Sequence, residues 1–274
     1  MKEINKESEK QFFNRTFEFG ARKPVSKFYA VVKTSREYYE KFLFSNCYNK
    51  KVLEYGCGTG SYAFPLTKHG GDVVGIDISD VAIKLAKERA KKEGLDILFL
   101  VMDANAMQFE DNSFDLVCGT GILHHLQLHK ALIEVTRVLK LEGRAIFIEP
   151  MGHNPAINLF RKLTPRFRTR DEHPLTVKDL EFMKALFYEV DCHFFHLFSL
   201  LAIPFRNNRK FSSLVKALDN FDRKLFEWLP ILRPLAWQVV IVLKKPKKAN
   251  TGFAARFVRP NVPPRHFTNT EIVI

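Results

Sequence analysis

Cysteine is scarce. Cys47, Cys57, Cys118 and Cys192 are the four in 274 residues, and none stands in a CxxC pair or beside a histidine at ligand spacing. Neither a disulfide framework nor a metal site is therefore expected, and free thiols suit a reducing, cytoplasmic compartment. Long apolar runs are also missing. Phe194–Phe205 is too short to span a bilayer, and Leu225–Leu243 is broken by Glu227, Pro230, Arg233 and Pro234, so no transmembrane helix is expected. The opening residues Met1–Glu7 are charged, so a secretory signal is not expected either. Acidic groups thin out toward the C-terminus: residues 204–274 hold 14 basic and 4 acidic groups, against 22 and 20 in residues 1–150. The net charge of +13 is thus a local feature. That argues against a general nucleic-acid binder, which needs basic groups across its working face.

What is present reads as a globular protein, 46% hydrophobic and 27% charged. Residues 1–48 mix charge with aromatics, and Tyr38, Tyr39, Phe42 and Leu43 at helical spacing predict amphipathic helices. At that spacing the aromatics serve either as a lid over a ligand or as plain core. Over residues 49–150, short apolar runs at Val52–Tyr55, Val73–Ile78, Ile97–Met102, Phe114–Cys118 and Arg144–Glu149 alternate with helical stretches at Ser79–Glu93 and Gln127–Leu139. Alternation of that kind predicts a parallel α/β sheet with right-handed crossovers. Residues 151–248 add Gly152–Pro174 as a long loop, a helix over Thr176–Phe187, a strand from Tyr188, a helical insertion over Arg206–Leu229 and a strand at Trp237–Leu243. Residues 249–274 lack periodicity and are expected to form a flexible tail.

The most informative segment is Val52-Leu53-Glu54-Tyr55-Gly56-Cys57-Gly58-Thr59-Gly60, a strand that runs into alternating glycines and then a helix. Glycines let the backbone turn tightly and approach a ligand closely. Asp77 closes the next strand, where a carboxylate is placed to bind ribose hydroxyls. Asp103 closes the third and is placed to accept from an adenine amino group. The loop is GxGxG rather than the dinucleotide GxGxxG, and Glu54 before it would repel a pyrophosphate while suiting a cationic ligand. S-Adenosylmethionine is favoured over NAD on that ground.

In order, Val52–Gly60, Gly75–Ser79, Met102–Ala104, Phe114–Leu126 and Val138–Pro150 resemble the successive motifs of class I S-adenosylmethionine-dependent methyltransferases. The closest subgroup is the type 11, ubiquinone/menaquinone-biosynthesis-like set. The resemblance implies a doubly wound, mostly parallel, seven-stranded Rossmann-like sheet with helices on both faces and its last strand antiparallel, here with a C-terminal helical insertion before that strand. It implies that Glu54, Gly56, Gly58 and Gly60, with Tyr55 and Cys57 between them, form the methionine end of the cofactor site. Asp77 and Ile78 would take the ribose, Asp103 and Ala104 the adenine, and Gly119 and Thr120 would face the glycine loop. The product would be S-adenosylhomocysteine. Leu141-Glu142-Gly143 departs from the family's Pro-Gly-Gly, in a turn that carries no chemistry.

The expected reaction is methyl transfer to oxygen or carbon of a small or lipid-like acceptor, with most of the rate coming from alignment. A non-catalytic S-adenosylmethionine-binding scaffold and an NAD-dependent oxidoreductase are the rival readings. His125 and His124 follow the fourth strand, where a base would be useful, although paired histidines there also serve to orient a loop. His173, in Asp171-Glu172-His173-Pro174, lies in the loop after the fifth strand, behind Arg161, Arg166, Arg168 and Arg170, and is either an acceptor-binding group or a solvated helix cap. Gly119-Thr120-Gly121-Ile122 is not the (Asp/Asn)-Pro-Pro-aromatic tetrad of nucleic-acid adenine methylases, so no nucleic-acid substrate is expected. The basic and apolar residues 194–248 suit either a cap over the acceptor or a peripheral membrane contact. Oligomeric state is not legible.

Overall fold

The computed structural model describes residues 5–19, 30–169 and 171–248. The expected tail at 249–274 lies outside them, as does Arg170.

Seven strands form one sheet: β1 (Lys51–Tyr55), β2 (Asp72–Asp77), β3 (Leu98–Val101), β4 (Phe114–Thr120), β5 (Leu139–Pro150), β6 (Phe187–Phe195) and β7 (Gln238–Pro246). Their order is β3-β2-β1-β4-β5-β7-β6. The first five are parallel, and β7 runs antiparallel between β5 and β6. The central strands are buried on both faces, which is why they read as unbroken apolar runs rather than alternating ones. Because successive side chains point to opposite faces, Val52 joins one core with Val73, Leu116, Ile146 and Val242, and Leu53 the other with Val117, Phe147 and Ile241. Chain order reverses at the β1–β4 junction, the switch point where open α/β sheets hold their ligands.

Helices close both faces. α1 (Lys6–Phe19) and α2 (Lys33–Asn46) precede the sheet, and Tyr39 and Leu43 of α2 are fully buried in the second core. α3 (Ala63–Lys68), α4 (Asp80–Glu93) and α5 (Leu128–Val138) follow β1, β2 and β4. α4 starts where the Ser79 side chain accepts from the Ala82 N–H at 3.0 Å, and stops at left-handed Gly94, φ 63°. Gly152–Pro174, expected as a loop, instead contains α6 (Pro155–Leu163). Asn154 caps it by accepting from the Ile157 N–H at 3.0 Å, and Pro155 sits at the first helical position. Both residue types also mark loops, which is what concealed the helix. α7 (Val177–Leu186) starts at the expected Thr176, whose N–H donates to Asp179 at 2.7 Å.

The insertion is α8 (Phe211–Trp228), flanked by 3₁₀ turns at Ser199–Phe205 and Pro230–Leu235. It has its own apolar cluster of Val31, Val32, Ile157, Ala202, Val215 and Trp237, which ties α8 and α6 to the sheet edge.

Candidate functional site

Two cavities open at the carboxyl ends of β1 and β4. The smaller, about 220 Å³, is bounded by Gly56 and Gly58, by Asp77 and Ile78 after β2, by Asp103 and Ala104 after β3, and by Thr120, Gly121, Ile122, His125 and Leu126 after β4. α1 roofs it with Lys6, Glu9, Phe13 and Phe17. Gly56 and Gly58 have φ of 70° and 52°, which favours glycine, and a Cβ on Gly56 would stand 2.6 Å from Ile122. Here the loop presents backbone, not side chain, to the cavity.

Asp77 anchors that loop. One oxygen accepts from the Gly58 N–H at 2.8 Å and the other from the Ser79 N–H at 2.9 Å. Burial pushes its carboxyl upward against those donors, and each oxygen keeps a lone pair for a ribose hydroxyl. Asp103 accepts from the Asn105 N–H at 2.9 Å and meets the Lys6 ammonium on its other oxygen. Although burial opposes it, the Lys6 and Asn105 contacts hold its carboxyl below the ordinary range. Two carboxylates, an apolar wall of Ile78, Ala104, Ile122 and Leu126, and a backbone cradle fit a nucleoside with an amino-acid tail.

Several residues expected at the site lie behind it. Glu54 is 3% exposed and outside the cavity wall. Its oxygens accept from the Tyr62 and Ala63 N–H groups at 2.8 and 2.7 Å, so it closes the glycine loop onto the start of α3. Burial outweighs those donors and pushes its carboxyl up to about 8. Tyr55 is fully buried and its hydroxyl donates to the Ala104 carbonyl at 2.5 Å, tying the ends of β1 and β3. Cys57 is buried beneath the loop, and its N–H donates to the Ile76 carbonyl at 2.8 Å. Gly60 and Gly119 are packing glycines: a Cβ would stand 2.5 Å from Phe64 at the first and 2.9 Å from the Tyr55 carbonyl oxygen at the second.

The larger cavity, about 840 Å³, shares Ser61, Thr120 and Gly121 with the smaller. Its walls include Phe44, Tyr62, Phe160, Trp237, Ile148, Ile157 and Ile203, with Arg36, Arg161, Arg168, His124 and Glu172 as polar groups.

His124 and His125 stand between the cavities. Glu149, fully buried at the end of β5, accepts from the Ile122 and Leu123 N–H groups at 2.9 and 2.8 Å and from His124 Nδ1 at 2.6 Å. His124 Nε2 faces Glu172 at 3.3 Å. Burial alone would strip its proton, but Glu149 and then Glu172 push its pKa up to about 9. Glu172 also holds Arg161 at 2.9 Å and Arg168 at 3.5 Å. His124, then Arg161, bring its carboxyl down to about 2 in spite of burial. His125 differs, because burial and the neighbouring His124 charge lower its pKa. Its Nδ1 lies 3.3 Å from Thr169 and 3.4 Å from Glu9, and its buried Nε2 has no hydrogen-bond partner. His173 is brought to the same loop by its backbone N–H, which donates to the His124 carbonyl at 2.7 Å. Its side chain is 62% exposed beside Asp179, 3.5 Å away, and outside both cavities.

His124, His125 and Glu172 each offer a ligand atom within 4.8 Å of the others. Charge there is already balanced, since Glu9, Glu149 and Glu172 face Arg161, Arg168 and the His124 imidazolium. Sequence reasoning missed Glu149 and singled out His173 beside Glu172. The register Glu149↔Val239 places Glu149 on β5, but the loop it captures belongs to β4.

A doubly wound sheet with a backbone cradle, two strand-end carboxylates and an antiparallel β7 defines a class I nucleoside-binding domain. Residues 53–147 match the family model described as a methyltransferase domain. That stretch, about a third of the chain, is a methyltransferase domain. Demethylmenaquinone methyltransferase of Thermus thermophilus is 36% identical over 103 residues, covering 36% of this chain and 47% of that protein. Phthiotriol/phenolphthiotriol dimycocerosates methyltransferase of Mycobacterium tuberculosis is 39% identical over 97 residues, covering 34% and 35%. The chain thus spans about half, or less, of the length of the curated relatives it matches. Phosphoethanolamine N-methyltransferase 2 of Haemonchus contortus, solved with S-adenosyl-L-methionine, has the same fold, with a TM-score of 0.54 at 20% identity over 72% of this chain and 49% of that one.

Proposed function

We propose that the chain transfers a methyl group from S-adenosylmethionine to oxygen or carbon of a lipid-like acceptor. One observation carries this reading: the smaller cavity, with its two strand-end carboxylates, and a larger one, whose Phe44, Tyr62, Phe160, Trp237 and isoleucine walls alternate with polar groups such as Arg36, Arg161 and Arg168, meet at Ser61, Thr120 and Gly121. Relatives whose names specify demethylmenaquinone and dimycocerosate substrates support a lipid-like acceptor.

When bound, S-adenosylmethionine supplies an electrophilic methyl group. Asp77 would hold the ribose and Asp103 the adenine, and the Gly56 and Gly58 backbones would face the amino-acid tail. Alignment of two reactants across the shared wall supplies most of the rate, by an in-line displacement. His124 already carries its proton at neutral pH, and its Nε2 N–H, which faces Glu172 at 3.3 Å, is the one that would turn to an acceptor oxygen gaining negative charge. Its Glu149 partner fixes the ring's orientation. His125, held neutral by burial, lines the cofactor side and is the group free to take up a proton.

Incubation with methyl-labelled S-adenosylmethionine and parallel lipid and aqueous extracts tests this. Label is expected in the organic phase. Label in the aqueous phase alone would overturn the lipid-like acceptor. No transfer from either extract, with S-adenosylhomocysteine still bound, would leave a non-catalytic scaffold.

A further inference from the structure

The insertion carries a surface that the methyl-transfer reading does not use. α8 buries Val215, Asp219, Asp222 and Phe226. On the opposite face Phe221, Lys224 and Trp228 follow one another at i, i+3 and i+7 spacing and point to solvent, with Phe221 50% and Trp228 80% exposed. The turn after α8 adds Ile231, 83% exposed, and the turn before it adds Leu201 and Phe205, 62% and 55% exposed. Phe198 packs edge-on against Phe221 at 5.4 Å, which joins the turn before α8 to the exposed face of the helix. The patch is preformed, because Asp222 accepts from the Leu197, Phe198 and Ser199 N–H groups at 3.0, 2.8 and 3.1 Å and pins the first turn to α8. Contiguous exposed apolar groups of this size mark an interaction site.

Charge identifies the partner. Residues 198–235 hold seven basic and three acidic groups, and two of the three, Asp219 and Asp222, are buried. Glu227 is the acidic group left at the surface, against exposed Arg209, Lys210 and Lys224 among others. Exposed tryptophan, phenylalanine and isoleucine ringed by lysine and arginine match the boundary between anionic headgroups and acyl chains. Among the described residues no helix is long and apolar enough to cross a membrane.

We infer that α8 and its flanking turns dock the protein on the surface of an anionic lipid bilayer. The larger cavity lies on the same unit: Ile203 of the first turn and Ile157 and Phe160 of α6 line it, and α6 exposes Leu159 and Leu163 at 59% and 73%. A lipid-like acceptor leaving the bilayer would therefore meet the cavity through the docked face. Docking needs no turnover, so its failure and that of the methyl-transfer reading are separable.

Co-sedimentation of the full chain with phosphatidylcholine vesicles, with and without phosphatidylglycerol, at low and high salt, tests this. Binding is expected to the anionic vesicles at low salt, and to fall with added salt. Lys210→Glu with Lys224→Glu is expected to weaken it at least about tenfold, each basic group being worth about fivefold. Trp228→Ser with Ile231→Ser should weaken it comparably. These side chains are exposed, so the melting temperature should not move, and a second readout uses the unaltered chain. Brominated acyl chains should quench Trp228, which is exposed, and not Trp237, which is 7% exposed. Protein left in the supernatant with anionic vesicles at low salt overturns the inference. So does binding unchanged by both pairs of substitutions, or a dimer in light scattering that the substitutions dissolve, which would assign the patch to a second copy.

Discussion

Glu149→Gln isolates one buried charge while keeping its shape. The glutamine carbonyl oxygen can still accept from the Ile122 and Leu123 N–H groups, but its amide cannot attract the His124 imidazolium. In the folded protein that imidazole titrates at about 9, above its ordinary value of 6.5. The raised value stabilises the fold fully below pH 6.5, and this stabilisation is lost as pH rises through about 9. Glu172, brought down to about 2 from 4.5, reports largely the same interaction from the acid side: present above pH 4.5, lost as pH falls through 2. The two shifts are therefore not added. The groups facing this pair are His125, Arg161 and Arg168, with Glu9 behind His125. The His124 shift is worth on the order of 3 kcal/mol, shared between Glu149 and Glu172, so about 2 kcal/mol is assigned to Glu149. At 2–4 °C per kcal/mol for a chain of this size, Glu149→Gln should melt about 4–8 °C lower at pH 6. At pH 10, where His124 is neutral in both proteins, the gap should nearly close. Differential scanning calorimetry across pH reads this directly. A deficit of the same size at both pH values would refute the electrostatic account and make Glu149 a packing residue.

Asp77→Ala removes a charged acceptor for the ribose and the anchor of Gly58, so S-adenosylhomocysteine affinity should fall about tenfold or more, or about 1.5–3 kcal/mol, by calorimetry. Tight NAD binding by the unaltered chain with no response to S-adenosylhomocysteine would contradict the cofactor assignment itself. Gly58→Ala puts a Cβ at φ 52° and 3.1 Å from Phe17, and should weaken the same binding with a small loss of melting temperature. His124→Asn should lower kcat roughly 10²-fold or more with cofactor affinity retained, whereas His125→Ala, on the cofactor wall, should change both; equal effects on both parameters at both sites would contradict the division of roles. Glu54→Ala orphans the Tyr62 and Ala63 N–H groups and should cost about 1–3 kcal/mol per donor by denaturant titration, and Glu54→Asp should recover part of that loss.

Local pattern carried the sheet. Val52–Tyr55, Val73–Ile78 and Phe114–Cys118 are apolar because strands in a parallel sheet have no solvent face, so their existence was legible from composition alone. The glycine loop was equally legible, because positive φ and close approach both demand glycine at Gly56 and Gly58. α6 was not, since Asn154 and Pro155 serve loops and helix starts alike.

Side-chain direction marks the boundary. That Glu54, Asp77, His124, His125 and Glu172 stand near strand ends follows from the sequence, because each directly follows or closes an apolar run or falls in a loop with turn residues. Whether each faces a ligand or the protein is set by which N–H groups and charges arrive from elements distant in the chain. Tyr62 and Ala63 draw Glu54 away from the cavity. Glu149, from β5, turns His124 into a cation. Arg161, from α6, selects Glu172 over His173 as the group that faces inward. The exposed face of α8 obeys the same rule. Its apolar residues were visible in the sequence, but packing against Asp222 and the first turn decided which were buried and which were left for a partner.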